Sequence, residues 1–110
     1  MADTLKRYMK IITDGANTAV MPAAASTKTV LSVMICNVHA STDVTFDLYA
    51  HTSNPSGDHA ILNNQSLPAQ STFIWDSKLI FEGNSEYLKV DPSAAVTGIH
   101  VVTTYLDQTS

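Results

Sequence analysis

A single cysteine, Cys36, leaves no way to form an internal disulfide and excludes every multi-cysteine zinc pattern. It lies in the most apolar segment, Thr29 to Val38, and is expected to be a buried thiol. That segment is far too short to span a bilayer as a helix, and nowhere do 18 apolar residues run together. The first ten residues carry Asp3, Lys6, Arg7 and Lys10, which interrupts any apolar stretch of signal-peptide length. A soluble chain, not secreted by the usual route, is expected.

Charge is scarce as well. Only 15% of residues are charged, where about 25% is usual for a soluble domain. Six Lys and Arg stand against ten Asp and Glu, a net charge of −4. With no excess positive potential, neither nucleic acid nor an anionic membrane is an expected partner.

Catalytic signatures are missing too. There is no G-x-S-x-G elbow, no glycine-rich phosphate loop and no H-E-x-x-H pair. An enzyme is therefore not expected, and neither is a cofactor or a resident metal. The four histidines, His39, His51, His59 and His100, never show the i, i+2 spacing that puts two ligands on one strand face. His51 and His59 flank the loop carrying Asn54, Pro55, Gly57 and Asp58, so a hairpin there would bring both imidazoles towards Asp58 as a weak cation site. Ordinary loop polarity is the competing reading. The carboxylate pairs Asp43 with Asp47 and Glu82 with Glu86 read as solvated strand edges.

What the chain does have is strand periodicity. In Val44 to Tyr49, the residues Val44, Phe46 and Leu48 alternate with Thr45, Asp47 and Tyr49, giving one core face and one wet face. In Val30 to Val38 both faces are apolar, broken only by Ser32, which marks a central strand or a strand with one face at an interface. Further strands are expected at Tyr8 to Thr13, His59 to Asn63, Thr72 to Trp75, Lys78 to Phe81, Glu86 to Val90 and Ile99 to Leu106. Turn residues separate them at Asp14-Gly15, Asn54 to Asp58, Leu67 to Gln70, Gly83 to Ser85 and Asp91 to Ser93. Only short helical turns are expected, at Asp3 to Met9 and Ser93 to Val96.

The stretch Ala16 to Thr27 holds five alanines around Pro22 and reads as an extended arm or loop. The expected organisation is an N-terminal arm with one strand over residues 1–28 and a sandwich body over 29–110. Together they form a single all-β domain, an antiparallel β-sandwich of jelly-roll or immunoglobulin-like type. A chain of 110 residues buries about two-thirds of its surface on folding, from roughly 17,000 to roughly 5,900 Å². That is enough for a core without staples.

Leu5, Tyr8, Met9, Ile11 and Ile12 on the arm are candidate contact residues, either adding a strand to a neighbour or lying along a shell. Folding back onto the chain's own sandwich is the alternative. Trp75, Tyr49 and Tyr87 are the candidate members of a sugar-stacking platform, against the reading that they pack within or between subunits. Thr45, Thr72, Thr103 and Thr104 occupy expected outward positions, where they make flat faces easy to desolvate against a partner.

The order of the segments carries a resemblance. T-V-L-S-V-M-I-C-N at Thr29 to Asn37 precedes V-T-F-D-L-Y at Val44 to Tyr49. L-N-N-Q-S-L-P-A-Q-S-T at Leu62 to Thr72 then leads to K-L-I-F-E-G-N-S-E-Y-L-K-V at Lys78 to Val90 and G-I-H-V-V-T-T-Y-L at Gly98 to Leu106. This succession resembles the small β-sandwich virion proteins of tailed bacteriophages, over about 80 of the 110 residues. Gln70 stands where that family often has glycine, and Asn84 where it usually has aspartate. The resemblance implies a non-enzymatic protein located in the virion, foremost a capsid decoration or cement protein. Such a protein would form a homotrimer on the major capsid protein. Neck or tail completion and a glycan-binding fibre module are the alternatives.

Overall fold

The computed structural model describes residues 2–13, 18–21, 26–53, 56–83, 86–93 and 98–109. Branched and aromatic residues fill these segments, and nine strands form among them. They are β1 (Ala2–Ile12), β2 (Thr18–Ala19), β3 (Thr27–Asn37), β4 (Val44–Ser53), β5 (Ser56–Leu67), β6 (Thr72–Trp75), β7 (Leu79–Glu82), β8 (Tyr87–Pro92) and β9 (Ile99–Thr109). The first sheet runs β1-β9-β3-β6, with β7 following β6 along the same edge of β3. The second sheet runs β2-β8-β4-β5. All pairings are antiparallel. The architecture is the all-β sandwich that the periodicity predicts. No described helix is long and apolar enough to cross a membrane.

The inner faces meet in one core. Ile12, Val30, Val33, Ile35, Phe81, Ile99, Val101 and Tyr105 come from the first sheet, and Val44, Phe46, Leu48, Ala50, Leu67, Leu88 and Val90 from the second. The rings of Phe46 and Phe73 meet edge to face across the gap, with centroids 5.7 Å apart. Two buried polar side chains tie the layers. Thr103 Oγ1 donates to the Val20 carbonyl at 2.8 Å. Asn37 Nδ2 donates to the carbonyls of Thr42 and Leu67 at 2.8 and 3.1 Å, and Asn37 Oδ1 accepts the His39 amide at 3.0 Å. Thr103 therefore faces the core, not the outer surface expected of it.

The expected arm over residues 1–28 is divided between the two sheets. All 11 residues of β1 pair with β9, from Ala2 opposite Thr109 to Ile12 opposite Ile99. The reading in which this segment folds back on its own sandwich describes it, and the pairing satisfies a row of β9 backbone groups that no other described strand reaches. The helical turn expected at Asp3 to Met9 is strand for the same reason. Thr18 and Ala19 pair with Val90 and Lys89 as β2, and β3 begins at Thr27, ahead of the expected start of the body. Residues 14–17 and 22–25 of the alanine-rich stretch, and residues 94–97 of the other expected turn, lie outside the described residues.

A register shift between Val30 and Ser32 marks a bulge in β3. The extra residue resets the alternation, so Val30, Val33, Ile35 and Asn37 all turn inward while Met34, Cys36 and Val38 turn outward. Cys36 is only half-buried on that outer side, unlike the buried thiol expected.

Candidate functional site

The pairing registers carry the outward residues of the first sheet into rows that cross its strands. The central row is Met9, Val102, Met34 and Ile74, apolar on all four strands. Beside it lies Ile11, His100, Cys36 and Thr72. Towards the other end come Arg7, Thr104 and Ser32, and then Leu5, Leu106, Thr29 and Ile80. Leu5, Met9, Ile11, Met34, Ile74 and Ile80 are each at least 41% exposed. Summed over the six residues this is on the order of 600 Å² of exposed surface, comparable with the largest apolar patches of monomers, though the row of Arg7, Thr104 and Ser32 divides it. The second sheet packs on the opposite face, so no described residue covers this one.

The sequence-predicted contact residues are sorted by this geometry. Leu5, Met9 and Ile11 belong to the exposed face. Ile12 does not: it is 1% exposed and part of the core, because strand alternation turns it away from Ile11. Tyr8 likewise points inward and packs on the core. Met34, Ile74, Ile80, Val102 and Leu106 were missed. Their one local signal is the doubly apolar pattern of β3, and joining them needs the register.

The sugar platform does not assemble. Trp75 packs against the core on the inner side of the first sheet, whereas Tyr49 and Tyr87 belong to the second sheet, where Tyr87 also packs against the core. Tyr49 donates its hydroxyl to Asp47 Oδ2 at 3.0 Å, which raises its pKa. Tyr87 lies beside the His51 ring at 4.9 Å between centroids.

The outer face of the second sheet is polar. His51 and Asp58 are cross-strand partners, with Nδ1 2.6 Å from Oδ1, and Lys89 Nζ approaches the other Asp58 oxygen at 3.4 Å. The hydrogen bond with His51, then the Lys89 charge, holds the Asp58 carboxyl below its ordinary range against the effect of burial. The Lys89 ammonium occupies the position a cation would take on Asp58, and His59, one residue on, projects to the opposite side of β5. Among the described residues no cluster of three or more His, Cys, Asp or Glu side chains forms. The other carboxylates have structural roles. Asp43 accepts the Ala69 amide at 2.9 Å, Asp47 the Asn64 amide at 2.7 Å and Glu86 the Glu82 amide at 2.8 Å.

No protein family and no curated relative matches the sequence. The fold is similar to a chain in the acidic stable capsid structure of Helicobacter pylori bacteriophage KHP30, with a TM-score of 0.53 at 8% identity over 97% of this chain and 87% of that one. It is also similar to a chain of the infectious bursal disease virus Gx strain, with a TM-score of 0.57 at 6% identity over 96% of this chain and 32% of the viral one. A third likeness is to the Drosophila NLP core, a structure concerned with pentamer formation and histone binding, with a TM-score of 0.54 at 10% identity over 99% and 100% of the two chains. Likeness at such low identity speaks for the fold alone: the chain is a jelly-roll-like β-sandwich, structurally similar to a chain of a phage capsid structure and to part of a chain of a virus structure.

Proposed function

We propose that this chain is a non-enzymatic structural protein of a virus particle, a decoration or cement subunit that binds and stabilises the shell built by the major capsid protein. The observation that carries this reading is the uncovered apolar face of the first sheet. An exposed apolar surface centred on Met9, Val102, Met34 and Ile74 is suited to contact with another protein. The jelly-roll-like likeness to capsid chains supports the setting. The carboxylates of Asp43, Asp47 and Glu86 support contact over turnover, since they hold backbone amides.

Particles purified with and without the chain test the proposal. Mass spectrometry is expected to find the chain in the particle, and particles lacking it are expected to release their genome at lower temperature or under milder osmotic shock. Absence from the particle, or unchanged resistance, refutes the decoration reading. Location at the neck or tail in a particle map selects the completion-protein alternative instead.

A further inference from the structure

We infer that the outer face of the first sheet is covered by the same face of a second copy of this chain, in a dimer whose two-fold axis runs parallel to the strands. This rests on the reading of that face as an assembly contact and names a second copy, not the shell, as its occupant; the dimer then meets the shell through its remaining surfaces. Three observations carry it.

The first is area. About 600 Å² of exposed surface on the six residues of each copy, with the surrounding Thr, Ser and Gln, doubles to more than about 1,200 Å², the lower bound for a stable interface. The second is the edge. β1 is the free outer strand of the sheet, and Lys6 and Lys10 alternate with the outward residues along it, so charge guards the edge against strand addition. Lys6 is held there by Asp107 at 3.2 Å. Growth by pairing along β1 is therefore disfavoured, which favours the face.

The third is charge complementarity. A two-fold axis along the strands lays β1 of one copy over β6 and β7 of the other at the same height. Each row then meets itself reversed: Met9 faces Ile74, Val102 faces Met34, and Leu5 faces Ile80. The row between them starts with Arg7 on β1 and runs through Thr104 and Ser32. Asp76, the exposed residue just past the last pair of β6, Trp75 with Val33, lies next along the far edge. Among the described residues neither Arg7 nor Asp76 has an ion-pair partner. The symmetry that stacks the apolar rows brings Arg7 of each copy over Asp76 of the other, giving two identical ion pairs that flank the apolar centre. Asp3 and Glu82 end the outermost row and meet at the rim, where solvent and salt screen their repulsion.

Sedimentation velocity on the full-length chain alone, without particles, tests this. A dimer of the 11.9 kDa chain is expected at micromolar concentration. Met34→Glu is expected to give a monomer with unchanged far-UV circular dichroism. Arg7→Asp and Asp76→Arg, both at exposed positions, are each expected to weaken dimerisation about tenfold or more with unchanged far-UV circular dichroism, and together to restore it. A wild-type monomer at 100 μM, a trimer, or a double variant no tighter than the singles would overturn the inference. The particle experiment is read separately, so a chain absent from the virion leaves the dimer result standing, and a monomeric chain leaves shell binding standing.

Discussion

Lys28 and Asp107 stand directly opposite each other on β3 and β9, both with side chains turned into the sandwich and both buried. The Lys28 ammonium donates to the Gly83 carbonyl at 3.0 Å and to that of Ser26 at 3.4 Å. Burial pushes its pKa down, opposed by the charges of Asp107 and Glu86. The Ser26 hydroxyl, then Lys6, hold the Asp107 carboxyl below its ordinary range against desolvation. Asp107→Asn removes one of the two counter-charges on a buried lysine, and the Lys6 ion pair with it, and is expected to lower stability in urea denaturation. Lys28→Met removes the charge itself and is expected to cost markedly less.

Stability should fall in acid for a definable reason. Asp107 and Asp58 both have folded pKa values below the ordinary 3.8. As pH falls past that value the unfolded chain takes up protons first, so the stability they contribute is complete above it and is lost as pH drops through the lower folded values. Melting temperature measured from pH 7 to pH 2 should decline below about pH 4, and Asp107→Asn should flatten that decline.

Asp91 behaves in the opposite sense. It lies across from Asp47 on the outer face of the second sheet, and burial, then the Asp47 charge, raises its pKa above 3.8. Its folded state holds the proton more tightly than the unfolded chain does, so ionisation at neutral pH destabilises the fold. Asp91→Asn should raise the melting temperature at pH 7 and leave it unchanged at pH 3. Equal gains at both values would rule out a charge effect.

Asn37 has both ends of its amide in use, donating to two carbonyls and accepting one amide. Asn37→Asp keeps the shape but turns an acceptor towards the carbonyls of Thr42 and Leu67. A loss of about 3 kcal/mol or more is expected at neutral pH, partly recovered when the new carboxyl is protonated. Chemical denaturation at pH 7 and pH 4 checks both halves.

Much of the fold is legible in the chain because strand alternation is local. Val44, Phe46 and Leu48 show which side of β4 is core, and Thr72 to Trp75 coincides with β6. What is not legible depends on partners far away in sequence. The bulge after Val30 decides that Val30 and Val33 share a side, and alternation without it places them on opposite faces. β5 runs past the expected Asn63 because register shifts and a positive φ at Asn64 absorb its polar stretch. The exposed face follows the same rule. Both sides of β3 read as apolar, yet only pairing with β9 and β6 joins Met34 to Val102 and Ile74. The buried pair of Lys28 and Asp107 leaves no trace in sequence, 79 residues apart by numbering.

The phase that the bulge sets along β3 has a further consequence. Val33 and Ile35 are spent on cohesion within the chain, while Met34, between them, is left for adhesion to something else. Neighbouring codons on one strand thus govern two separable properties, and a change at one position can retune stickiness while its neighbours keep the melting point where it was.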